Sequence, residues 1–142
     1  MTLKILTSED LTSSLQTQVT ELYKQLSEKV SQIPLETVFQ QNNTTIVYAM
    51  EGTKLIGMAS MGNYRVISGI KGWIEDVVVD ETQRGKGIGE QLIRKLLHIA
   101  KQRNYTDVFL FTEDFRVPAI HLYKKLGFVF RDSQIYTYKV LK

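Results

Sequence analysis

The chain has 142 residues, 43% of them apolar and 23% charged, the makeup of one ordinary globular domain with little room for a second core. It contains no cysteine and only two histidines, His98 and His121, which excludes disulfide frameworks, thiolate zinc sites and thiol nucleophiles and argues against any metal centre. The net charge of +3 comes from 18 basic and 15 acidic residues spread along the chain, without the basic stripe and interleaved aromatics of a nucleic-acid binder. No apolar run reaches the roughly 18 residues of a membrane span, and the first residues lack the apolar core of a secretion signal. The expectation is a cytoplasmic protein with no nucleic-acid or membrane partner.

Residues 3–6 predict a short first strand, and Ser8, Glu9 and Asp10 then offer helix-start chemistry. Leu11, Leu15, Val19, Leu22, Leu26 and Val30 recur at three- and four-residue spacing, which predicts one helical face running to about Val30. Pro34 interrupts it, residues 35–41 predict a short second helix, and Asn42-Asn43 a turn. Residues 45–50 and 54–61 predict two strands around the hairpin turn Glu51-Gly52-Thr53, the second continuing loosely through 64–68. Residues 73–80, rich in β-branched side chains, predict a central strand. From Ile88 the stripe Ile88, Leu92, Ile93, Leu96, Leu97, Ile99 and Ala100 predicts a buried helix face, with Glu90 and Arg94 paired on the wet side. Residues 107–112 predict another buried strand, and 117–126 a helix with Pro118 in its first turn and Gly127 at its end. The alternation over 128–140 predicts a last strand or hairpin. The class is α/β (α+β), one domain over residues 1–142.

The sharpest feature is Gln83-Arg84-Gly85-Lys86-Gly87-Ile88-Gly89, between a predicted buried strand and a predicted amphipathic helix. A helix N-terminus exposes its first N–H groups and carries about half a positive charge, and glycines let those amides approach an anion without a Cβ in the way. A turn alone needs one glycine rather than three. The run lacks the Gly-Lys-Ser/Thr of a Walker A loop, and its third glycine comes one residue too early for the dinucleotide fingerprint. A small polyphosphate ligand fits best, with Arg84 or Lys86 adding charge.

These residues resemble the GCN5-related N-acetyltransferases (GNAT), whose signature Arg/Gln-x-x-Gly-x-Gly/Ala is matched by Arg84-Gly85-Lys86-Gly87-Ile88-Gly89 at every position. The family's second hallmark, Ala-x-x-Leu/Phe-Tyr-x-x-x-Gly-Phe, stands here as Ala119-Ile120-His121-Leu122-Tyr123-Lys124-Lys125-Leu126-Gly127-Phe128. The resemblance is strong over residues 72–131 and rests on element order alone before them. It implies a mixed, mostly antiparallel sheet flanked by helices, splayed between the central and following strands to admit acetyl-CoA as cosubstrate. It further implies N-acetylation of an amine, with a second copy of the chain as a candidate partner.

An amine is protonated at pH 7 and must lose a proton before it attacks a thioester. Glu75 is the candidate base, on the same face as Val77 and Val79 if the strand is regular. The resemblance to polyamine acetyltransferases with a Glu-Asp-x-x-Val context implies that role, and a carboxylate that only orients substrate or pairs with a cation is the alternative. A bulge, frequent in the family at this place, would turn Asp76 from the opposite face. The family resemblance also implies Tyr123 as the acid for the departing thiolate, with packing as its alternative. Backbone N–H groups of Val77, Val78 and Val79 would face the acetyl oxygen and pair with the pantetheine arm. Arg84, Gly85, Lys86, Gly87, Ile88 and Gly89 would hold the pyrophosphate. Many members carry Asn where this chain has Arg116, so Arg116 is the cofactor contact that departs from the pattern; Arg131 and Tyr136 or Tyr138 match a subset of the family that shares it. The expected acceptor is a small-molecule primary amine, the alternatives being a lysine or N-terminal amine of a protein, or a silent acyl-CoA sensor.

Overall fold

Alternating apolar side chains of five strands build one sheet in the order β1 (Thr2–Ile5), β2 (Thr44–Glu51), β3 (Lys54–Val66), β4 (Gly69–Val79) and β5 (Asp107–Leu110). The computed structural model describes residues 1–141 and divides into two compact units, Met1–Phe111 and the residues from Thr112 onward. The first four strands pair antiparallel and β5 joins β4 in parallel, through a crossover that contains helix α3 (Ile88–Gln102). The predicted mixed, mostly antiparallel sheet is realised. Glu51 pairs with Lys54 across a Gly52-Thr53 turn with Gly52 at φ +59°, the left-handed conformation that such a hairpin requires.

Antiparallel partners share a face, so the register sorts the core into two layers. On one face Ile46, Tyr48, Met58 and Val78 pack with Leu15 and Leu22 of helix α1 (Ser13–Lys24) and with Leu35 and Val38 of the short helix α2 (Leu35–Val38). On the other, fully buried Val47, Ala59 and Met61 meet α3, whose Leu92, Ile93 and Leu96 are as buried. Gly57 marks the closest approach, since a Cβ there would lie 3.1 Å from Ile88 Cγ2 and 3.2 Å from Leu92 Cδ1. The Gln18 side chain clips α1 to the hairpin, accepting from the Leu55 N–H at 2.8 Å and donating to the Thr53 carbonyl at 3.1 Å.

Three expectations need correction. Helix α1 stops at Lys24 rather than near Val30. Leu26 and Val30 keep the spacing but are exposed, and the Gln32 amide donates to the Thr20 carbonyl at 3.0 Å, so the chain has doubled back where a continuing helix would carry it about 18 Å away. The Gln25 side chain fixes that end by accepting the Glu81 N–H at 2.9 Å. Strand β5 is shorter than predicted and half-buried rather than buried, with Thr112 outside it. In the second unit α4 (Val117–Lys125) forms as predicted, with Pro118 in its first turn and Gly127 at φ +99° just beyond its end, but residues 128–141 form neither helix nor strand. Alternation makes a strand only where a neighbour takes up the backbone groups, and none of these residues enters a ladder.

The turn from β4 into α3 is held by Asp80, a buried carboxylate that accepts from the Thr82 N–H at 3.1 Å and lies 3.2 Å from Lys54 Nζ. The Thr82 N–H bond, helped by Lys54, holds its carboxyl below the ordinary aspartate value against the opposing effect of burial. Asp80→Ala is expected to destabilise the protein by about 1–2 kcal/mol at neutral pH. The folded group titrates below the unfolded one, so this contribution is complete above the unfolded value and is lost as pH falls through the folded one. Denaturant midpoints of variant and wild type should differ near neutrality and converge in strong acid.

Candidate active site

The central feature of β4 is an extra residue. Ser60 pairs with Glu75 and Met58 with Val78, so Ala59 alone stands opposite both Asp76 and Val77. Asp76 takes φ +54°, a conformation that aspartate tolerates better than most residues. Because Ser60 and Met58 share a face, Glu75 falls on the face of Val78, towards α1. The regular-strand expectation that Glu75 shares a face with Val77 and Val79 is thereby corrected. Val79 faces α3, where its Cγ2 lies 3.7 Å from where a Gly89 Cβ would be. The bulge that would take Asp76 out of the regular alternation is present, and Asp76 is exposed.

Glu75 and Asp76 therefore stand side by side at the surface of β4. Partial withdrawal from water raises the Glu75 carboxyl above its ordinary value, and the neighbouring Asp76 charge adds to the effect; Asp76 is raised by withdrawal from water as well. Tyr23, on α1, is raised first by burial and then by the charges of Asp76 and Glu75. A carboxylate whose value is raised is the stronger proton acceptor when ionised. Among the described residues no salt bridge engages either carboxylate.

Beyond Glu75 the strand has an open edge. The parallel ladder ends with Ile74 opposite Leu110, whereas β4 continues to Val79, so among the described residues Val77, Val78 and Val79 have no strand partner on that side. The gap expected between the two strands is thus opened here by the early end of β5. The strand then leads into the glycine turn, where Gly85 and Gly87 take φ +80° and +78° and a Cβ on either would meet nothing within 4 Å. Helix α3 begins at Ile88 with no side-chain cap. Gly89 has an ordinary φ. The two flanking cations stay within the turn: Arg84 Nε donates to the Val79 carbonyl at 3.2 Å and Lys86 Nζ to Gln83 Oε1 at 3.1 Å. Open backbone amides at a helix N-terminus form a cradle that a phosphate group fits.

Tyr123 and Arg116 belong to the second unit. Tyr123 is half-buried on α4 with its ring edge-on to Phe128 at 5.9 Å, and burial raises its hydroxyl while the Arg116 charge partly opposes the rise. Arg116 is the residue before α4, its guanidinium 5.8 Å from the Phe115 ring. Two surface concavities of about 390 and 570 Å³ contain none of these residues; Ser8, Gln16 and Glu36 line the first, Asn63, Arg65 and Arg103 the second. Sequence reasoning missed Tyr23 and Asp80, and only the boundary position of Asp80 before Glu81-Thr82 was a signal for either.

The sequence profile of the Acetyltransferase (GNAT) family matches residues 9–128. The chain belongs to that family. It is 31% identical over 94 residues to an L-methionine sulfoximine/L-methionine sulfone acetyltransferase of Pseudomonas aeruginosa, covering 66% of this chain and 55% of that one. It is 40% identical over 65 residues to a streptothricin acetyltransferase of Streptomyces lavendulae, covering 44% of this chain and 34% of the relative. The chain thus spans about half, or less, of the length of these relatives. Among solved structures, an aminoglycoside acetyltransferase from an uncultured soil metagenomic sample superposes with a TM-score of 0.83 at 22% identity, over 99% of this chain and 96% of the other, which establishes the shared fold.

Asp76→Asn should lower the Glu75 titration towards the ordinary glutamate range without reaching it, because burial is the larger cause. Carboxylate ¹³C NMR across an acid titration reads this directly, and an unmoved Glu75 curve would show that the Asp76 charge does not reach it.

Proposed function

We infer that the protein transfers an acetyl group from acetyl-CoA to the primary amine of a small molecule. The observation that carries this reading is the continuity of β4: the raised Glu75 carboxyl, the unpaired edge at Val77–Val79 and the open glycine turn follow one another along a single stretch of backbone. Bound acetyl-CoA supplies the acetyl group as an activated thioester. The backbone amides of residues 85–89 hold its pyrophosphate, and the free edge of β4 pairs with its pantetheine arm in the manner of an added strand. Arg116 takes the arm position that is Asn in many relatives.

Glu75 accepts the proton that the ammonium group must lose, and the amine nitrogen then attacks the acetyl carbon. Backbone N–H groups at Val77–Val79 face the oxygen as it gains charge. Tyr123, kept protonated by burial, donates its hydroxyl proton to the departing sulfur as the carbon–sulfur bond breaks, and the second proton that the nitrogen sheds on becoming an amide restores the Tyr123 hydroxyl. Transfer is direct, since the chain has no cysteine to carry an acetyl group. The names of the relatives, acetyltransferases of methionine sulfoximine, streptothricin and aminoglycosides, support a small amine as acceptor over a protein one. The family match over residues 9–128 runs through both units and supports their working as one domain.

Glu75→Gln should lower kcat by about 100-fold while leaving acetyl-CoA affinity intact. The wild-type rate should rise with pH as Glu75 ionises and fall only at high pH, where the raised Tyr123 finally loses its proton. Tyr123→Phe should remove that alkaline limb along with most of the turnover. A Glu75→Gln enzyme with wild-type kcat would end the assignment of the base.

A second copy of this chain is the proposed partner, supported by Val129, Phe130, Tyr136, Tyr138 and Val140, all more than 80% exposed in one short segment. Sedimentation velocity should show a dimer, and Tyr136→Ser with Tyr138→Ser should shift it to monomer. A wild-type monomer at micromolar concentration would remove the proposal.

A further inference from the structure

Gly62 stands in the middle of β3 without any reason that the backbone or the packing supplies. Its φ is ordinary, so a side chain is conformationally allowed, and a Cβ there would meet nothing within 4 Å. Gly57, on the opposite face of the same strand, shows the contrast, because α3 leaves no room for a side chain there. Glycine within a strand weakens it and often marks close approach of a ligand.

The surroundings are specific. Gly62 pairs with Trp73, and the next pair on the same face is Ser60 with Glu75. No Trp73 atom comes within 4 Å of where a Gly62 Cβ would be: the Trp73 ring lies 4.8 Å from Phe109 and 4.6 Å from Phe111, and its Nε1 donates to the Tyr64 hydroxyl at 3.3 Å. Tyr64 and Phe111 remain 43% and 52% exposed. An aromatic wall therefore borders an uncovered glycine floor, one strand repeat of about 7 Å from the Glu75 level.

We propose that this groove, floored by Gly62 and walled by Trp73, Tyr64 and Phe111, holds the body of the acceptor and selects an amine whose nitrogen at Glu75 is carried about 7 Å from a flat ring with an apolar face. The inference rests on the acetyl-transfer reading of Glu75 and adds the substrate class. The two carboxylates complement the ammonium group, and aromatic side chains stack equally on an aryl ring or on the apolar face of a sugar.

The test uses Gly62→Val, which suits a strand and fills the floor, together with the emission of Trp73, the chain's single tryptophan. The probes are 3-phenylpropylamine, 2-aminoethyl β-D-glucopyranoside and, as a ringless control, butylamine, the first two carrying the nitrogen on a short arm away from the ring. Wild-type emission should respond saturably to at least one ring-bearing amine, the responding one naming the ring as aryl or sugar. The valine variant should melt at the same temperature or higher, keep its acetyl-CoA affinity, and raise the dissociation constant and KM for that amine at least 10-fold, with butylamine changed less than 2-fold. Phe111→Leu should weaken the same amine without affecting butylamine. No response to either ring-bearing amine, or a valine variant that binds them as wild type does, overturns the groove. So does a valine variant that loses acetyl-CoA binding, because Gly62 would then be serving the fold. Ring-amine binding that behaves as expected without acetyl transfer overturns the catalytic reading alone.

Discussion

The extra residue in β4 governs what this sheet can do. With Asp76 and Val77 both opposite Ala59, the strand exchanges its faces in mid-course, so that Ile74 and Val79 lie towards α3 while Glu75 and Val78 lie towards α1. A regular strand would send the central carboxylate and the following valines to one side. The bulge instead separates them: Glu75 is delivered to the surface near Tyr23, and Val79 is freed to pack by the start of α3. The extra residue also increases the local twist, which accords with the ending of the β4–β5 ladder at Ile74. The proposed base and the proposed cofactor edge are thus consequences of one insertion.

Features written in local chemistry were legible. Glycines with positive φ at 52, 85, 87 and 127 lie where turns were read, and the α3 stripe is buried as its spacing demands. The two motifs around Gly87 and Tyr123 carry the family resemblance in residue identities alone. Features that depend on what covers a residue were not legible. Leu26 and Val30 carry the period of α1 but lie beyond its end and stay exposed, and the alternation over 128–140 has no ladder to join among the described residues. Gly57 and Gly62 look alike in sequence, yet one is pressed by a helix and the other faces open space.

The electrostatics of the site divide along the same boundary. Asp80 and Asp76 sit four residues apart and are displaced in opposite directions, the first held low by an N–H bond and Lys54, the second raised by loss of water. The difference is one of partners rather than of residue type. The Asp80 charge is met by Lys54 at the turn, whereas among the described residues no salt bridge meets the two carboxylates at the bulge. That contrast separates the residue that fixes the glycine turn from the residues proposed to receive an ammonium group.

The open edge of β4 has a consequence for the life of the protein outside catalysis. Unpaired strand backbone is a template for any other extended chain, and natural proteins seldom leave it uncovered. Here the gap beside Val77–Val79 is required by the proposed cosubstrate, so it cannot be blunted with proline or closed by lengthening β5 without losing the site. If the proposed cosubstrate binds there, its occupancy would mask the edge and stabilise the fold by mass action, so that the exposure of this strand would vary with the supply of acetyl-CoA.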